Sequence, residues 1–326
     1  MTRTRGVLRR VLPPLLWLAV GIAVCSAAIA AVGQVDDRRG GWALAPLGYA
    51  AALGLGQVAL LAIAWTLILR RVAATPVGMP VGVRSFLLGW LSRYLPGPPT
   101  GPAGKYLATA RGGYAPGEVS AALFYEQVLQ LGATAAVPAL TFPFLFGAGW
   151  LWLMPVTATL TAAGALLAVR PAVIRGLGRL ASRAGMRSAG DVRPLPLRLL
   201  ILPGLLTLVA SFLPALGFHL VAWTVTSWPL ADAGRAVFVF GLASLVGFVI
   251  PFLPSGAGAR EVVVVGLMGA SVGHAGALSS AVIARAVTVL LDAALGLVVA
   301  LSYAAGPLLP ACVRARTPDI ASKNRA

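Results

Sequence analysis

Two clusters of proline and glycine interrupt otherwise apolar sequence, LPGPPTGPAGKYL at residues 95–107 and PFLPSGAGAREVV at residues 251–263, and each runs into basic side chains. A helix that faces lipid does not tolerate such a break. Its freed backbone N–H and C=O groups would meet no water in the hydrocarbon core, so irregular backbone at that depth occurs where protein or a wet cavity encloses it. Pro96, Gly97, Gly104, Pro254, Gly256 and Gly258 are therefore read as the breaks of two hairpins, over residues 81–117 and 236–276, each of which enters and leaves the membrane on one side.

A membrane is what the rest of the chain demands. Of its 326 residues 59% are hydrophobic and 11% charged, with a mean hydropathy of +0.88. Crossing roughly 30 Å of hydrocarbon takes about 20 apolar residues in a helix. Six runs reach that length, at residues 11–32, 42–69, 119–140, 144–169, 199–226 and 278–303. The stretches 81–95 and 236–253 stop at the proline-glycine clusters and form the first arms of the hairpins. The expected fold is an all-α polytopic membrane protein with six full spans plus two re-entrant hairpins, a hydropathy profile of about eight segments.

A net charge of +17 in a soluble chain would point to nucleic acid, but here most of the bases fall in particular loops. They occupy an N-terminal segment at 1–10, Arg70 and Arg71, an arginine-rich loop at 170–198, and a tail at 304–326. The positive-inside rule puts all four on the cytoplasmic side. The first span then acts as a signal anchor, because its apolar run exceeds the core of a cleaved signal peptide. Keeping the loop at 170–198 inside requires the first hairpin to dip in from the cytoplasm, and the same count makes the second dip in from outside. The membrane halves, 11–169 and 199–303, thus have opposite topology. Cys25 and Cys312 are the only cysteines, too far apart along this topology to imply a disulfide.

The halves also align. Leu95-Pro96-Gly97, Gly104-Lys105, Gly117 and Glu126 in the first correspond to Leu253-Pro254-Ser255, Ala259-Arg260, Gly276 and Arg285 in the second. Glu126 and Arg285 therefore stand at equivalent places in opposed halves, each well inside an apolar run. Charges so placed cost roughly 2.5–3.5 kcal/mol each on insertion scales and face partners or water-filled cavities. The expectation is that Glu126 pairs with Arg285, with Asp292, two turns on, as a second acid for the arginine. Gln127 and Gln130 extend the polar patch. After each break a short helix is expected to start at Lys105 and at Arg260, its free N–H groups and positive dipole end aimed at an anion such as phosphate. Arg93 and Arg111 add positive charge, opposed by Glu118 and Glu261.

Other chemistry is poorly represented. GPAGKY lacks the upstream glycine of a phosphate loop, and GAGARE lacks the last glycine of a dinucleotide fingerprint. His219 and His274 are the only histidines and have no cysteine cluster near them, so no metal site and no cofactor are expected. No residue is assigned a catalytic role. Trp17, Trp42, Trp150, Trp152 and Trp228 fall near span ends and read as interface anchors.

Arg93-Tyr94-Leu95-Pro96-Gly97, Gly-Lys-Tyr-Leu-Ala, Glu126-Gln127-Val128-Leu129 and Leu253-Pro254-Ser255-Gly256-Ala257-Gly258-Ala259-Arg260-Glu261 together resemble the lysylphosphatidylglycerol synthase transmembrane region family. The family includes the flippase domain of the bacterial multiple peptide resistance factor and many stand-alone flippase-like proteins. The resemblance runs from about residue 11 to residue 303, and its most specific part is the LPSGAGAREV-type segment followed by Ala284-Arg285. It implies a lipid-translocating fold with two re-entrant hairpins. Only a basic tail follows Tyr303, in the place of the soluble aminoacyl-transferase domain, so synthase activity is not expected. The first hairpin is also richer in proline than the family pattern.

The sequence thus points to a multi-pass protein of the bacterial cytoplasmic membrane, both termini inside, that binds a polar-headed, anionic lipid and moves it across the bilayer. Its expected partners are membrane lipids and a lipid-modifying or glycosyltransferase enzyme, with no nucleic acid. The alternatives are an intramembrane enzyme with Glu126, Glu261 or Asp292 as base, and a non-catalytic scaffold for a lipid-modifying enzyme.

Overall fold

The structure, a computed structural model, describes residues 44–94, 100–145, 148–168, 170, 172, 195–226, 228–250, 256 and 258–304. The first expected span, at 11–32, lies outside them, as do Trp17, Trp42, Pro96, Gly97, Pro254, most of the arginine-rich loop and the tail. The described residues are about 90% helical and contain no strand.

Among the described residues nine α-helices follow one another: α1 (Leu44–Val72), α2 (Met79–Ser92), α3 (Thr100–Ala110), α4 (Pro116–Thr141), α5 (Met154–Ala168), α6 (Leu197–Thr226), α7 (Ala233–Val249), α8 (Ala259–Val272) and α9 (His274–Ala304). Apart from α5 the order is long, short, short, long, given twice, and the packing repeats with it. Helices α1 and α6 share the largest interface. Each first arm, α2 or α7, packs on its own return arm, α3 or α8, and also on the long last helix of the other half, α9 or α4. The sequence repeat is thus a repeat of packing as well.

Among the buried clusters of the described residues, two lie mainly one in each half. The first gathers Trp65, Ile68 and Leu69 of α1, Phe86 of α2 and Tyr125 of α4, all nearly or fully buried. Trp65 Nε1 donates to Ser85 Oγ at 3.0 Å, so the large ring leaves no polar atom unpaired. The second gathers Phe218 of α6, Phe238 of α7, Met268 of α8 and Ala277 of α9. Helices meet in lipid through van der Waals packing at small residues rather than through hydrophobic exclusion from water. Gly241 of α7 fits this description: a β-carbon there would stand 2.6 Å from Val137 Cγ1 of α4. The opposite surface is apolar too, with Ile201, Leu202, Leu205 and Val209 of α6 and Leu290, Leu297 and Val298 of α9 exposed. That is the pattern of a helix bundle solvated by hydrocarbon.

Among the described residues five helical stretches are long and apolar enough to cross a membrane: Ala45–Val72, Pro116–Leu145, Leu197–Thr226, Leu230–Val249 and His274–Val299. Two expectations change. The described part of the run 144–169 is not one continuous α-helix: 3-10 turns at Phe142–Leu145 and Ala148–Leu153 precede the 15 residues of α5. Pro143 and Pro155 flank this stretch, each lacking an amide proton for a helical ladder. Conversely, Leu230–Val249, expected as a mere hairpin arm, has the length of a full span. Trp228 is a third correction. It is 2% exposed, packed in the second core with Nε1 donating to the Asp232 carbonyl, and does not present its ring at the surface.

Candidate functional site

The two hairpins face one another across a cavity of about 390 Å³. Its wall brings together Arg93, Lys105, Glu126, Arg260, Glu261 and Arg285. Gln127, Gln130 and Ser244 add neutral hydrogen-bonding groups to the lining.

Glycines set the depth of this cavity. In the first hairpin Gly89 of α2 lies against the Lys105 side chain of α3, and a β-carbon at Gly89 would overlap it. In the second, Gly247 of α7 occupies the same relation to α8, where a β-carbon would stand 2.8 Å from Arg260 Nε. Each first arm therefore yields space to the cation of its return arm. Lys105 and Arg260 thus stand in the same relation to a glycine of the first arm. The second break has a further requirement for glycine: Gly256 and Gly258 have φ of +69° and +86°, a region open to residues without a β-carbon. Gly256 also touches Gly247 so closely that a β-carbon would stand 2.8 Å from the Gly247 Cα.

The helix starts differ between hairpins. Helix α8 begins at Ala259, so Arg260 is in its first turn as expected. Helix α3 already begins at Thr100, which puts Gly104 and Lys105 inside the helix and not at its break. Gly104 serves packing, against Ser92 of α2. Lys105 is 7% exposed and its ammonium lies 4.3 Å from the centroid of Phe86, a cation–π contact that offsets part of its desolvation.

The ion pairs are not the expected ones. Glu126 does not meet Arg285; it binds Lys105. Arg285 binds Glu261, Nη1 to Oε1 at 3.1 Å. Asp292 does not serve Arg285 either. It is 2% exposed and takes three donors from the first hairpin, Trp90 Nε1 at 2.8 Å together with Arg93 Nη2 and Tyr94 OH. Arg93 also stacks on Trp90, 3.8 Å from the ring centroid. The reason for the re-pairing is local geometry. In each half the return arm of the hairpin packs on the long helix that follows it, so a charge on that arm reaches its own half's long helix before it reaches the other half's. In the first half this joins Lys105 to Glu126. In the second the long helix carries a base, Arg285, and it takes the neighbouring acid Glu261 in place of Arg260.

Glu261 has a second task, its Oε2 accepting the Gly258 amide at 2.7 Å to cap α8. Glu118 does the same in the first half: it accepts the Ala115 amide at the start of α4 and, at 2.8 Å, the Ala74 amide of the α1–α2 turn. Arg111 is exposed at the turn after α3 and does not line the cavity. Among the described residues no group of histidine, cysteine, aspartate and glutamate is placed to hold a metal ion. His219 and His274 belong to separate helices, α6 and α9.

Sequence reasoning missed Trp90, Tyr94, Gly89 and Gly247. Tyr94 adjoins the first break and Trp90 stands one turn before it, a position from which polar handles in an apolar arm return to a buried acid. Gly89 and Gly247 carry no chemistry of their own, and only the opposing helix shows what they do.

An all-α bundle with membrane-length helices and a charged cavity between two broken hairpins is a multi-pass membrane protein. The chain belongs to the lysylphosphatidylglycerol synthase TM region family, whose model matches residues 5–296. No curated protein matches it.

Proposed function

We propose that the protein binds the polar head group of a membrane lipid in the cavity between its hairpins and carries it across the bilayer. One observation carries this reading: a cavity of about 390 Å³, rich in paired and unpaired charge, lies inside a bundle whose outer surface is apolar. A lipid has the same division. Its head group is desolvated in hydrocarbon only at great cost unless hydrogen-bonded, whereas its tails need nothing from the protein. Membership of the family is consistent with a flippase-like role. In this reading the hairpins are re-entrant, the two halves are inverted relative to one another, and the membrane is the bacterial cytoplasmic one with both termini inside.

The mechanism follows from the re-pairing. Lys105–Glu126 and Glu261–Arg285 each tie a hairpin to its own half, while Arg93–Asp292 ties the first hairpin to the second half. Rocking of one half against the other strains the cross-half link and leaves the two within-half links intact. Arg93–Asp292 is therefore the contact that breaks and re-forms, and the head group moves past it.

Purified protein in liposomes, with a fluorescent lipid analogue and a membrane-impermeant quencher, tests the reading. Loss of leaflet protection in the presence of protein, with the lipid chemically unchanged, is the expected result. Chemical conversion of the lipid would establish an enzyme instead, and neither change would leave a scaffold.

A further inference from the structure

We infer that the cavity is built for a head group with a single negative charge, a phosphodiester, and that Arg260 alone supplies its counter-charge. This deepens the lipid-binding reading and rests on it for the identity of the ligand as a lipid.

The inference comes from the pairing of charges in the cavity. Its wall and the adjoining Asp292 hold four bases, Arg93, Lys105, Arg260 and Arg285, and three acids, Glu126, Glu261 and Asp292. Every acid is taken: Asp292 by Arg93, Glu126 by Lys105, Glu261 by Arg285. Among the described residues no carboxylate lies within ion-pair distance of Arg260, and its Nε is buried with no hydrogen-bond partner. The hairpin tips at 95–99 and 251–255 contain no ionisable residue that would change the count. The surplus arises from the sequence repeat itself. Lys105 and Arg260 are equivalent, but the position that holds Glu126 opposite Lys105 holds Arg285 opposite Arg260. A base has been put where the second half would need an acid, and the second hairpin is left with one positive charge that protein does not neutralise.

One surplus charge accommodates a monoanion. A phosphodiester oxygen held by the guanidinium makes a charge-assisted hydrogen bond, about twice as strong as a neutral one. A dianionic phosphomonoester would bring a second negative charge with no base free to meet it, and a zwitterion would bring a cation beside Arg260. Lys105, by contrast, is already neutralised and takes no share of the ligand's charge. The two hairpin cations are alike in place and unlike in role.

Equilibrium binding to purified protein, by isothermal titration calorimetry with short-chain lipids below their micellar concentration, tests this. The probes are dihexanoyl phosphatidylglycerol, dihexanoyl phosphatidic acid, dihexanoyl phosphatidylcholine and, to separate a lipid from a free phosphate, glycerol 3-phosphate. Wild-type protein should prefer phosphatidylglycerol over phosphatidylcholine by about tenfold or more, the scale of one hydrogen bond to a charged group. It should also prefer it over phosphatidic acid. Arg260→Gln should abolish the preference and Arg260→Lys should keep most of it. Lys105→Gln combined with Glu126→Gln removes a base and an acid together and should retain it. Equal binding of phosphatidylglycerol and phosphatidylcholine to the wild type overturns the inference whether or not any variant folds. So does equal loss in Arg260→Gln and in the double variant. Tighter binding of glycerol 3-phosphate than of phosphatidylglycerol would overturn the lipid assignment. A monoanion preference without translocation in liposomes would leave this inference standing and remove the transport reading.

Discussion

Glu126 and Asp292 show how little of a buried charge's role is set by its own position. Both were legible as functional because a carboxylate deep in an apolar run demands a partner, and both found partners other than the nearest matched base in the repeat. Removing one member of a buried pair leaves the other charge uncompensated, at a cost of roughly 3–5 kcal/mol. Glu126→Gln should therefore lower the thermal stability of detergent-purified protein, and adding Lys105→Gln to it should restore much of the loss. The earlier expectation of a Glu126–Arg285 pair makes the opposite forecast, that Arg285→Gln would be the rescuing change. Melting curves of the two double variants choose between them. Gly89 supplies a steric counterpart. Gly89→Ala places a methyl group on the Lys105 side chain, and overpacking of that kind costs about 1–3 kcal/mol. The same substitution at Gly266, in the interior of α8, where a β-carbon would meet nothing within 4 Å, should instead raise stability by about 0.5–1 kcal/mol.

At the scale of elements, α2 is held by three connections of different kinds. Trp65–Ser85 fixes its middle to α1, Gly89 seats α3 against it, and the Trp90, Arg93 and Tyr94 donors fix its end to Asp292 of α9. Only the last crosses between halves. Asp292→Asn keeps the shape but lowers the charge that draws all three donors, so it should loosen the end of α2 while leaving its start docked. Hydrogen exchange by mass spectrometry should show faster exchange at residues 89–94 and unchanged exchange at residues 82–86. Uniform acceleration along α2 would mean that the Asp292 network does not act locally. The hairpins were legible as elements because proline and glycine stop helices. Which residue began each return helix was not, since Thr100-Gly101-Pro102 reads as loop by propensity, yet it opens α3, where Pro102 falls in the first turn and the helix packs on α2.

For the whole molecule the arginine-rich loops forecast the orientation in the membrane. The α6–α7 turn, where Asp232 and Arg235 are both about one-third exposed, is expected outside. In a Cys25→Ser, Cys312→Ser background a membrane-impermeant thiol reagent should label Asp232→Cys in intact cells and should label Arg187→Cys only after lysis. Labelling of Arg187→Cys from outside would invert the assignment of the hairpins. The two halves should also be separable in their cores: a large-to-small change such as Met268→Ala, in the second core, costs about 2–5 kcal/mol by the usual cavity penalty. It should leave the first half's hydrogen-exchange protection unchanged.

An all-helical membrane protein with two broken hairpins was legible from residue order alone, and so were the charged residues that the cavity gathers. This holds because the cost of an unsatisfied backbone group or a lone charge in hydrocarbon is large enough to be read from composition and spacing alone. The tertiary structure decided who pairs with whom. Ion pairing depends on a few ångströms of side-chain reach, and that reach is set by how closely glycines such as Gly89 and Gly247 let two helices approach. Positions matched in the repeat need not touch, and here the mismatch between Glu126 and Arg285 leaves Arg260 as the cation of the described cavity without an ion-pair partner.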